Sequence, residues 1–238
     1  DLISACDAVV VATPLAARAA LVAAALENGC AVLAEGLPAA VRAQVDGLYH
    51  KAGAGGGRLG AGRSDPAAMA LALCAREVEP PRLIEVSRSA PSTQRRSEVG
   101  VCLDLMVDDI EAVCALMNRP PVEVRATVSA GRGERADAIE ATVRFKGGAV
   151  ARLRASRLGA ERSHLFRITG REGVIEGDLV TGDVRGGGPD LKERIARSCA
   201  ELSDARALLA PDAPARPFAW PATHLALQIE GVCRAQSL

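Results

Sequence analysis

The sequence predicts an α/β chain in two parts: a parallel sheet in residues 1–64, and a large, mainly antiparallel open sheet beside helices in residues 65–238. Three observations support this. Apolar runs alternate with alanine- and leucine-rich segments in the first part, which is typical of a parallel β-α unit. Short stretches of alternating polar and apolar residues fill the second part. The dipeptide Asp65-Pro66 marks the change between the two patterns.

The first part is predicted to contain three strands joined by two helices. The apolar run Asp7–Ala12 is typical of a strand buried on both faces, and Thr13-Pro14 ends it. The remaining elements are expected, in order, as a helix at 16–28, a strand at 31–34, a helix at 39–52 and a strand at 58–62. Connections between such parallel strands are right-handed.

The second part is predicted to be an α+β domain. Helical patterns occupy 67–76, 99–117 and 223–235, and strand patterns occupy 82–89, 122–128, 139–145, 149–155, 164–169 and 173–178. The turn sequence Lys146-Gly147-Gly148 predicts a hairpin between two of these strands. Residues 186–217 are expected to be mostly loop with one polar helix.

The composition argues against several classes of partner. Hydrophobic residues make up 49% of the 238 residues, and the formal net charge is zero. Neither nucleic acid nor an anionic membrane surface is therefore a predicted partner. The seven cysteines form no C-x-x-C pair and lie mostly in apolar runs. We interpret them as reduced core residues of a cytoplasmic protein rather than disulfides or zinc ligands.

Four segments in order carry a resemblance to a known family: DAVVVATP, AALENGCAVLAEGLP, VCLDLMVDDIEAV and RITGREGVIEGD. Over about Asp7 to Asp178 the chain resembles the Gfo/Idh/MocA family of NAD(P)-dependent oxidoreductases. The resemblance implies part of a Rossmann dinucleotide-binding domain in residues 1–64 and a substrate and dimerisation domain in residues 65–238. It implies hydride transfer between NAD or NADP and a hydroxyl of a sugar or nucleotide sugar. It also implies a homo-oligomer formed through the sheet of the second domain.

One expected feature of the family is missing from the printed sequence. By the resemblance, a Gly-rich loop after a strand holds the cofactor pyrophosphate, but no G-x-G-x-x-G follows a strand here. We therefore expect that the first two or three strands of the Rossmann domain are absent and that the chain binds dinucleotide weakly. Strand 7–12 would then lie at a bare sheet edge.

Candidate cofactor contacts lie where two predicted strands end. Ligands of open parallel sheets bind beyond the carboxyl ends of the strands. The residues at these positions are Thr13, Pro14 and Leu15 after the first strand, and Glu35 and Gly36 after the second. Glu35 can accept a hydrogen bond from a ribose hydroxyl, and Thr13 can offer its hydroxyl and backbone. Without the resemblance, Thr13-Pro14 is more simply a turn that ends a strand.

The resemblance also indicates altered chemistry. The lysine of the family's E-K-P motif corresponds to Gly36, and the histidine of its D-x-x-x-H motif corresponds to Asp108, while the aspartate is kept as Asp104. The T-P-N-x-x-H motif begins at Thr13, so its histidine corresponds to Arg18. Most proton-handling groups of the family are thus replaced.

Asp104 and Asp108 are the predicted catalytic residues. They lie four apart on a helix and share a face, so repulsion in a dry cleft would raise the pKa of one of them and make it a candidate base. An exposed acidic helix edge that also contains Asp109 and Glu111 explains the pattern equally well. No third ligand lies at a suggestive spacing, so no metal site is predicted.

Few other residues are candidates for the missing groups. None of the three lysines and three histidines is predicted to replace them. Arg63 is predicted to contact a phosphate or acid group of the substrate, with an ordinary surface arginine as the alternative. Two functions remain open: an oxidoreductase with a degenerate site, or a non-catalytic relative that serves as a dimerisation or binding module.

Overall fold

Strands and helices alternate from the start of the chain and build two compact units that divide near residue 64. A computed structural model describes residues 2–55, 57–62, 66–91, 100–130, 136–203 and 229. Arg63 lies outside the described residues, as does all of the helix expected at 223–235 except Ile229.

The first unit contains the predicted parallel sheet. Its elements are β1 (Ala8–Val11), α1 (Leu15–Glu27), β2 (Ala31–Glu35), α2 (Arg42–Ala54) and β3 (Leu59–Gly62). In the described part of this unit, the strands pair in the order β1-β2-β3, and both pairings are parallel. The connections from β1 to β2 and from β2 to β3 move in the same direction across the sheet. Since such connections are right-handed, α1 and α2 lie on the same face of this sheet.

The prediction that β1 is buried on both faces is wrong. Val11 is only 4% exposed, but Val10 is 67% exposed, and Leu33, which lies opposite it on β2, is 49% exposed. Successive side chains of a strand point to opposite faces. The residues that alternate with Val10 and Leu33 pack under the helices, while these two occupy the other face.

The second unit contains a large sheet with helices on one side. Its elements are α3 (Pro66–Glu77), β4 (Pro81–Ser89), α4 (Val107–Met117), β5 (Pro121–Ala130), β6 (Ala136–Phe145), β7 (Val150–Ser156), β8 (Ser163–Gly170), β9 (Val174–Asp178), β10 (Asp183–Arg185) and α5 (Leu191–Ser203). The described strands pair in the order β10-β9-β8-β4-β7-β6-β5, which we call the large sheet.

Pairing in the large sheet is mainly antiparallel, as predicted. The exception among the described strands is β4, which pairs in parallel with β7 and antiparallel with β8. The hairpin between β6 and β7 is confirmed, and Gly147 and Gly148 turn it with φ of 90° and 87°. The strand β10 was not predicted because three residues are too few to show an alternation.

The core of the second unit lies between α4 and the middle of the large sheet. Met106 and Ile110 are at most 1% exposed, and the same holds for Ile84 of β4 and Leu153 of β7. A π-helical turn at Cys102–Met106 leads directly into α4. This packing places the first turn of α4 over the central strands of the large sheet.

Candidate active site

The predicted cofactor residues lie where β1 and β2 end. Thr13 forms a bend after β1, Pro14 caps α1, Leu15 is the first residue of α1, and Glu35 is the last residue of β2. Because β1 and β2 run in parallel, and Val11 at the end of β1 pairs with Ala34, one residue before the end of β2, these positions fall at the same edge of the sheet. We call Thr13–Leu15 and Glu35–Leu37 together the strand-end rim.

Arg18 connects the two halves of the strand-end rim. It lies one turn into α1, and its Nε and Nη2 donate to the carbonyl oxygen of Thr13 at 3.1 and 2.5 Å. Its Nη1 donates to the carbonyl oxygen of Leu37 at 2.7 Å. The guanidinium therefore joins the segments that follow β1 and β2, beyond the last paired residues of the two strands.

The rim offers groups that suit a nucleotide. Glu35 is exposed, so its carboxylate can accept hydrogen bonds from a ligand. Gly36 is buried and has φ of 83°, a left-handed conformation that glycine adopts without steric cost. The hydroxyl oxygen of Thr13 is buried and has no hydrogen-bond partner within the described residues. Of these groups, the exposed carboxylate at the strand end can accept from the ribose of a dinucleotide.

In the second unit, two acidic side chains are buried at the start of α4. Asp108 is 6% exposed and Asp109 is 2% exposed, and both lie in the first turn of the helix. The alternative that these two residues belong to an exposed acidic edge is therefore wrong.

Asp109 is held by two cationic or ionisable side chains from the large sheet. Its Oδ1 lies 2.8 Å from Nη2 of Arg88 and 2.8 Å from Nε2 of His164. Nη1 of Arg88 also lies 3.6 Å from Oδ2 of Asp108. We call Arg88, Asp108, Asp109 and His164 the buried ion cluster.

Strand pairing builds the cationic side of this cluster. Arg88 on β4 lies directly opposite His164 on β8, and Nη2 of Arg88 is 3.2 Å from Nε2 of His164. Because both the arginine and the imidazole approach one carboxylate oxygen, the arrangement assigns a proton to Nε2 of His164, which donates to Asp109.

Asp104 lies in the π-helical turn and faces a different arginine. Nε of Arg157 is 3.2 Å from Oδ2 of Asp104, and Nη1 of Arg157 is 3.9 Å from Oδ1 of Asp137. The Arg157 side chain is 2% exposed, whereas the Asp104 side chain is 17% exposed. A buried guanidinium thus orients a carboxylate that solvent reaches. Turns of this type occur frequently at functional sites.

Sequence reasoning missed Arg88, Arg157 and His164. Arg88 is 76 residues from His164, and Arg157 is 53 residues from Asp104, so no local spacing links them. One signal was present: Arg88 follows Ile84 and Val86 at alternate positions, and His164 precedes Phe166 and Ile168 in the same way. A polar residue at a core-facing strand position indicates a buried partner.

Two buried thiols of the second unit are poor nucleophiles. Within the described residues, Cys6, Cys30, Cys74, Cys102 and Cys114 are free thiols. Burial, with the nearby Glu77 carboxylate, raises the pKa of Cys74 to about 12, and burial raises the pKa of Cys114 to about 12. Such thiols stay protonated at neutral pH. No described helix has the length and apolar character needed to cross a membrane.

The second unit matches a known domain family, and a stretch of the chain matches a sequence relative. Residues 76–176 match the family described as GFO/IDH/MocA C-terminal domain. Over 88 residues the chain is 36% identical to UDP-N-acetylglucosamine 3-dehydrogenase of Acidithiobacillus ferrooxidans. That match covers 37% of this chain and 28% of the relative, so it spans less than a third of the relative's length.

Solved structures of similar fold cover almost the whole chain. A structure of UDP-N-acetylglucosamine 3-dehydrogenase GnnA from Acidithiobacillus ferrooxidans has a TM-score of 0.77 at 23% identity, over 100% of this chain and 81% of that one. The WlbA dehydrogenase from Bordetella pertussis, in complex with NADH and UDP-GlcNAcA, has a TM-score of 0.80 at 15% identity, over 98% and 78%. These likenesses establish the fold. The similarity to the Gfo/Idh/MocA family lies in residues 76–176, which resemble its C-terminal domain.

Proposed function

We propose that this protein is an oxidoreductase that transfers a hydride between NAD or NADP and a hydroxyl of a sugar or nucleotide sugar. The named relatives support this substrate class, because they include a UDP-N-acetylglucosamine 3-dehydrogenase and a dehydrogenase solved with NADH and UDP-GlcNAcA. The cofactor, when bound, supplies or accepts the hydride. The protein must then bind it, orient the hydroxyl and move the hydroxyl proton.

The observation that carries this proposal is the oriented carboxylate of Asp104. Oxidation of an alcohol needs a group within hydrogen-bond reach that accepts the hydroxyl proton. Asp104 is 17% exposed and is held by Arg157, whose side chain is 2% exposed. A rigid partner of this kind keeps a carboxylate in one orientation, and positioned groups accelerate reactions far more than mobile ones.

The strand-end rim would hold the cofactor. Exposed Glu35 would accept from a ribose hydroxyl, while Thr13, Pro14, Leu15 and buried Gly36 would form the adjacent backbone surface. The lysine and histidine positions of the family are occupied by Gly36 and Asp108, so we propose that turnover is slow and depends on Asp104. Arg63 remains a proposed substrate contact.

A pair of matched variants tests the catalytic role. Asp104→Asn removes the carboxylate that accepts the proton, whereas Asp137→Asn removes the other acidic neighbour of the same arginine. Oxidation of UDP-N-acetylglucosamine with NAD⁺ or NADP⁺ is followed by the absorbance of the reduced cofactor. We expect kcat/KM to fall about 100-fold or more in Asp104→Asn and only a few-fold in Asp137→Asn. Equal losses of kcat/KM in the two variants would show that Asp104 supports the structure around Arg157 and does not accept the hydroxyl proton.

The second candidate function is a non-catalytic dimerisation or binding module. It is favoured by Asp108, which occupies the histidine position and is engaged by Arg88 at 3.6 Å. The outward face of the large sheet also carries cross-strand ion pairs, such as Glu85 with Arg152 and Glu140 with Arg154, around a groove of about 460 Å³. We propose that this face joins two copies of the chain.

Two measurements separate the candidates. Light scattering reports the mass of the wild-type particle and of a double variant, Arg152→Glu with Arg154→Glu, in which both cross-strand ion pairs become repulsive. A dimer that this variant splits, combined with no turnover on any nucleotide sugar offered, favours the module. Turnover that depends on Asp104 favours the oxidoreductase. A monomeric wild type would contradict the proposed role of the sheet face.

A further inference from the structure

We infer that Arg18 is a positioning residue that sets the separation between the two halves of the strand-end rim, and thereby the opening that receives the dinucleotide. The inference rests on the proposed function, because the ligand is the cofactor named there. Arg18 is distinct from the cofactor contacts predicted from the sequence, and it would act through Thr13 and Leu37.

The geometry of the guanidinium carries the inference. Thr13 follows β1 by two residues and Leu37 follows β2 by two residues, so backbone pairing between the strands has ended at both positions. Beyond these strand ends, three N–H groups of Arg18 connect the two segments. Two donate hydrogen bonds to the Thr13 carbonyl oxygen, and one donates to the Leu37 carbonyl oxygen. Hydrogen bonds from a charged donor are shorter and stronger than neutral ones.

The location of the charge also indicates a specific role. Arg18 lies near the N-terminus of α1, where the partial positive charge of the helix disfavours a cation. Two carbonyl oxygens compensate for this, because they direct negative partial charge at the guanidinium. A lysine cannot reproduce the contact, since its single nitrogen lacks the planar fork that reaches two separate oxygens.

The tied segments are those that the proposed function uses. One half of the rim holds the Thr13 hydroxyl, and the other holds Glu35 and left-handed Gly36. If the carbonyls of Thr13 and Leu37 moved apart, the exposed carboxylate of Glu35 would be displaced from the backbone of Thr13–Leu15, against which the dinucleotide would lie. Misplacement of binding groups by about 1 Å is enough to weaken function by about 100-fold.

The test compares Arg18→Lys and Arg18→Ala with a matched control, Arg42→Ala. Arg42 is also an arginine of the first unit, but its side chain is 64% exposed and pairs with Asp46 on the same helix. Deuterium uptake is measured in segments 11–15 and 34–38, and NADH affinity is measured by calorimetry up to millimolar concentration. Circular dichroism checks that each variant is folded at the temperature of the titration.

We expect both Arg18 variants to exchange about tenfold faster in the two segments and to bind NADH about tenfold more weakly, as befits loss of charge-assisted hydrogen bonds. Arg42→Ala should match the wild type in both measurements. Unchanged exchange in Arg18→Lys and Arg18→Ala would overturn the inference. Faster exchange with unchanged NADH affinity would also overturn it, while leaving the proposed function intact. A folded wild type that binds no NADH would overturn the cofactor assignment and, with it, the role of Arg18 in cofactor binding.

Discussion

Nε2 of His164 lies 2.8 Å from Oδ1 of Asp109, although 55 residues separate them in the chain. The same carboxylate oxygen is 2.8 Å from Nη2 of Arg88. One buried acid therefore links the first turn of α4 to β4 and β8, which are neighbours in the large sheet. The contact positions the helix that also carries Asp108, and it does so in a part of the unit that water barely reaches.

Removing the charge of Asp109 should destabilise the second unit. In Asp109→Asn, the Arg88 guanidinium and the His164 imidazole lose the carboxylate they share, and breaking a buried ion pair on one side costs about 3–5 kcal/mol. Urea unfolding measures this loss. Glu123→Gln is the control, because Glu123 pairs with Arg125 and Arg144 at exposed positions, where such pairs contribute at most about 1 kcal/mol. Equal losses in the two variants would contradict the role of Asp109.

Placing a histidine at position 108 should also be costly. Asp108→His replaces a carboxylate that is 7% exposed and lies 3.6 Å from Arg88 with an imidazole that offers no negative charge. We expect the free energy of unfolding to fall, and protonation of the new imidazole beside Arg88 to make the loss larger at acid pH.

A double-mutant cycle with Arg88→Gln isolates this interaction. Asp108→His should cost about 1 kcal/mol less in the Arg88→Gln background than in the wild type, because coupling energies between contacting residues reach this size. If the losses in unfolding free energy of the two single variants add up to that of the double variant, Arg88 and Asp108 do not stabilise each other. Coupling of this size would mean that a histidine at position 108 also requires a different residue at position 88.

The two glycines Gly36 and Gly47 should respond to alanine in opposite directions. Gly36 has φ of 83°, where a side chain costs about 1–2 kcal/mol. Gly47 lies in the middle of α2, and an added Cβ would meet nothing within 4 Å, so alanine there should stabilise by about 0.4–1 kcal/mol. Thermal unfolding of Gly36→Ala and Gly47→Ala tests both signs. A Gly36→Ala variant as stable as the wild type would contradict the left-handed backbone. The same strain applies to Gly36→Lys.

The pattern of the sequence predicted the elements better than it predicted their partners. Alternation and glycine turns located β6, β7 and the hairpin between them, because these features depend on neighbouring residues. The parallel pairing of β4 with β7 was not predicted, since its partners are far apart in sequence and no spacing signals them. The orientation of a strand toward its neighbours is decided by packing, which a local pattern does not contain.

The candidate site shows the same division. The strand ends at Thr13 and Glu35 were predictable, because each lies where an apolar run of the sequence stops. The burial of Asp108 and Asp109 was not. A regular α-helix through this segment would place its acidic residues along one edge. The π-helical turn at Cys102–Met106 interrupts that regular period before α4 begins, so the side chains that follow point in other directions than the sequence pattern predicts. Arg88, which comes from β4, then pairs with both buried acids.

The pair between Glu77 and Arg194 should make stability depend on pH. Nη1 of Arg194 donates to Oε1 of Glu77 at 2.7 Å, and the Gly188 amide donates to its Oε2 at 3.0 Å. These bonds, the arginine first, lower the pKa of Glu77 from its ordinary 4.5. A carboxyl whose pKa is lower in the folded state stabilises the fold above the ordinary pKa, and this contribution is lost as the pH falls through the folded pKa.

We therefore expect Glu77→Gln to unfold at a lower urea concentration than the wild type at pH 7, because the pair joins α3 to α5. The difference between the two midpoints should shrink as the pH falls below about 4.5, where the wild-type carboxyl also becomes protonated. Glu172→Gln, at an exposed position between β8 and β9, serves as the control and should follow the wild type throughout. A gap between Glu77→Gln and the wild type that stays constant from pH 7 to pH 3 would show that the ionised carboxylate is not the source of the stabilisation.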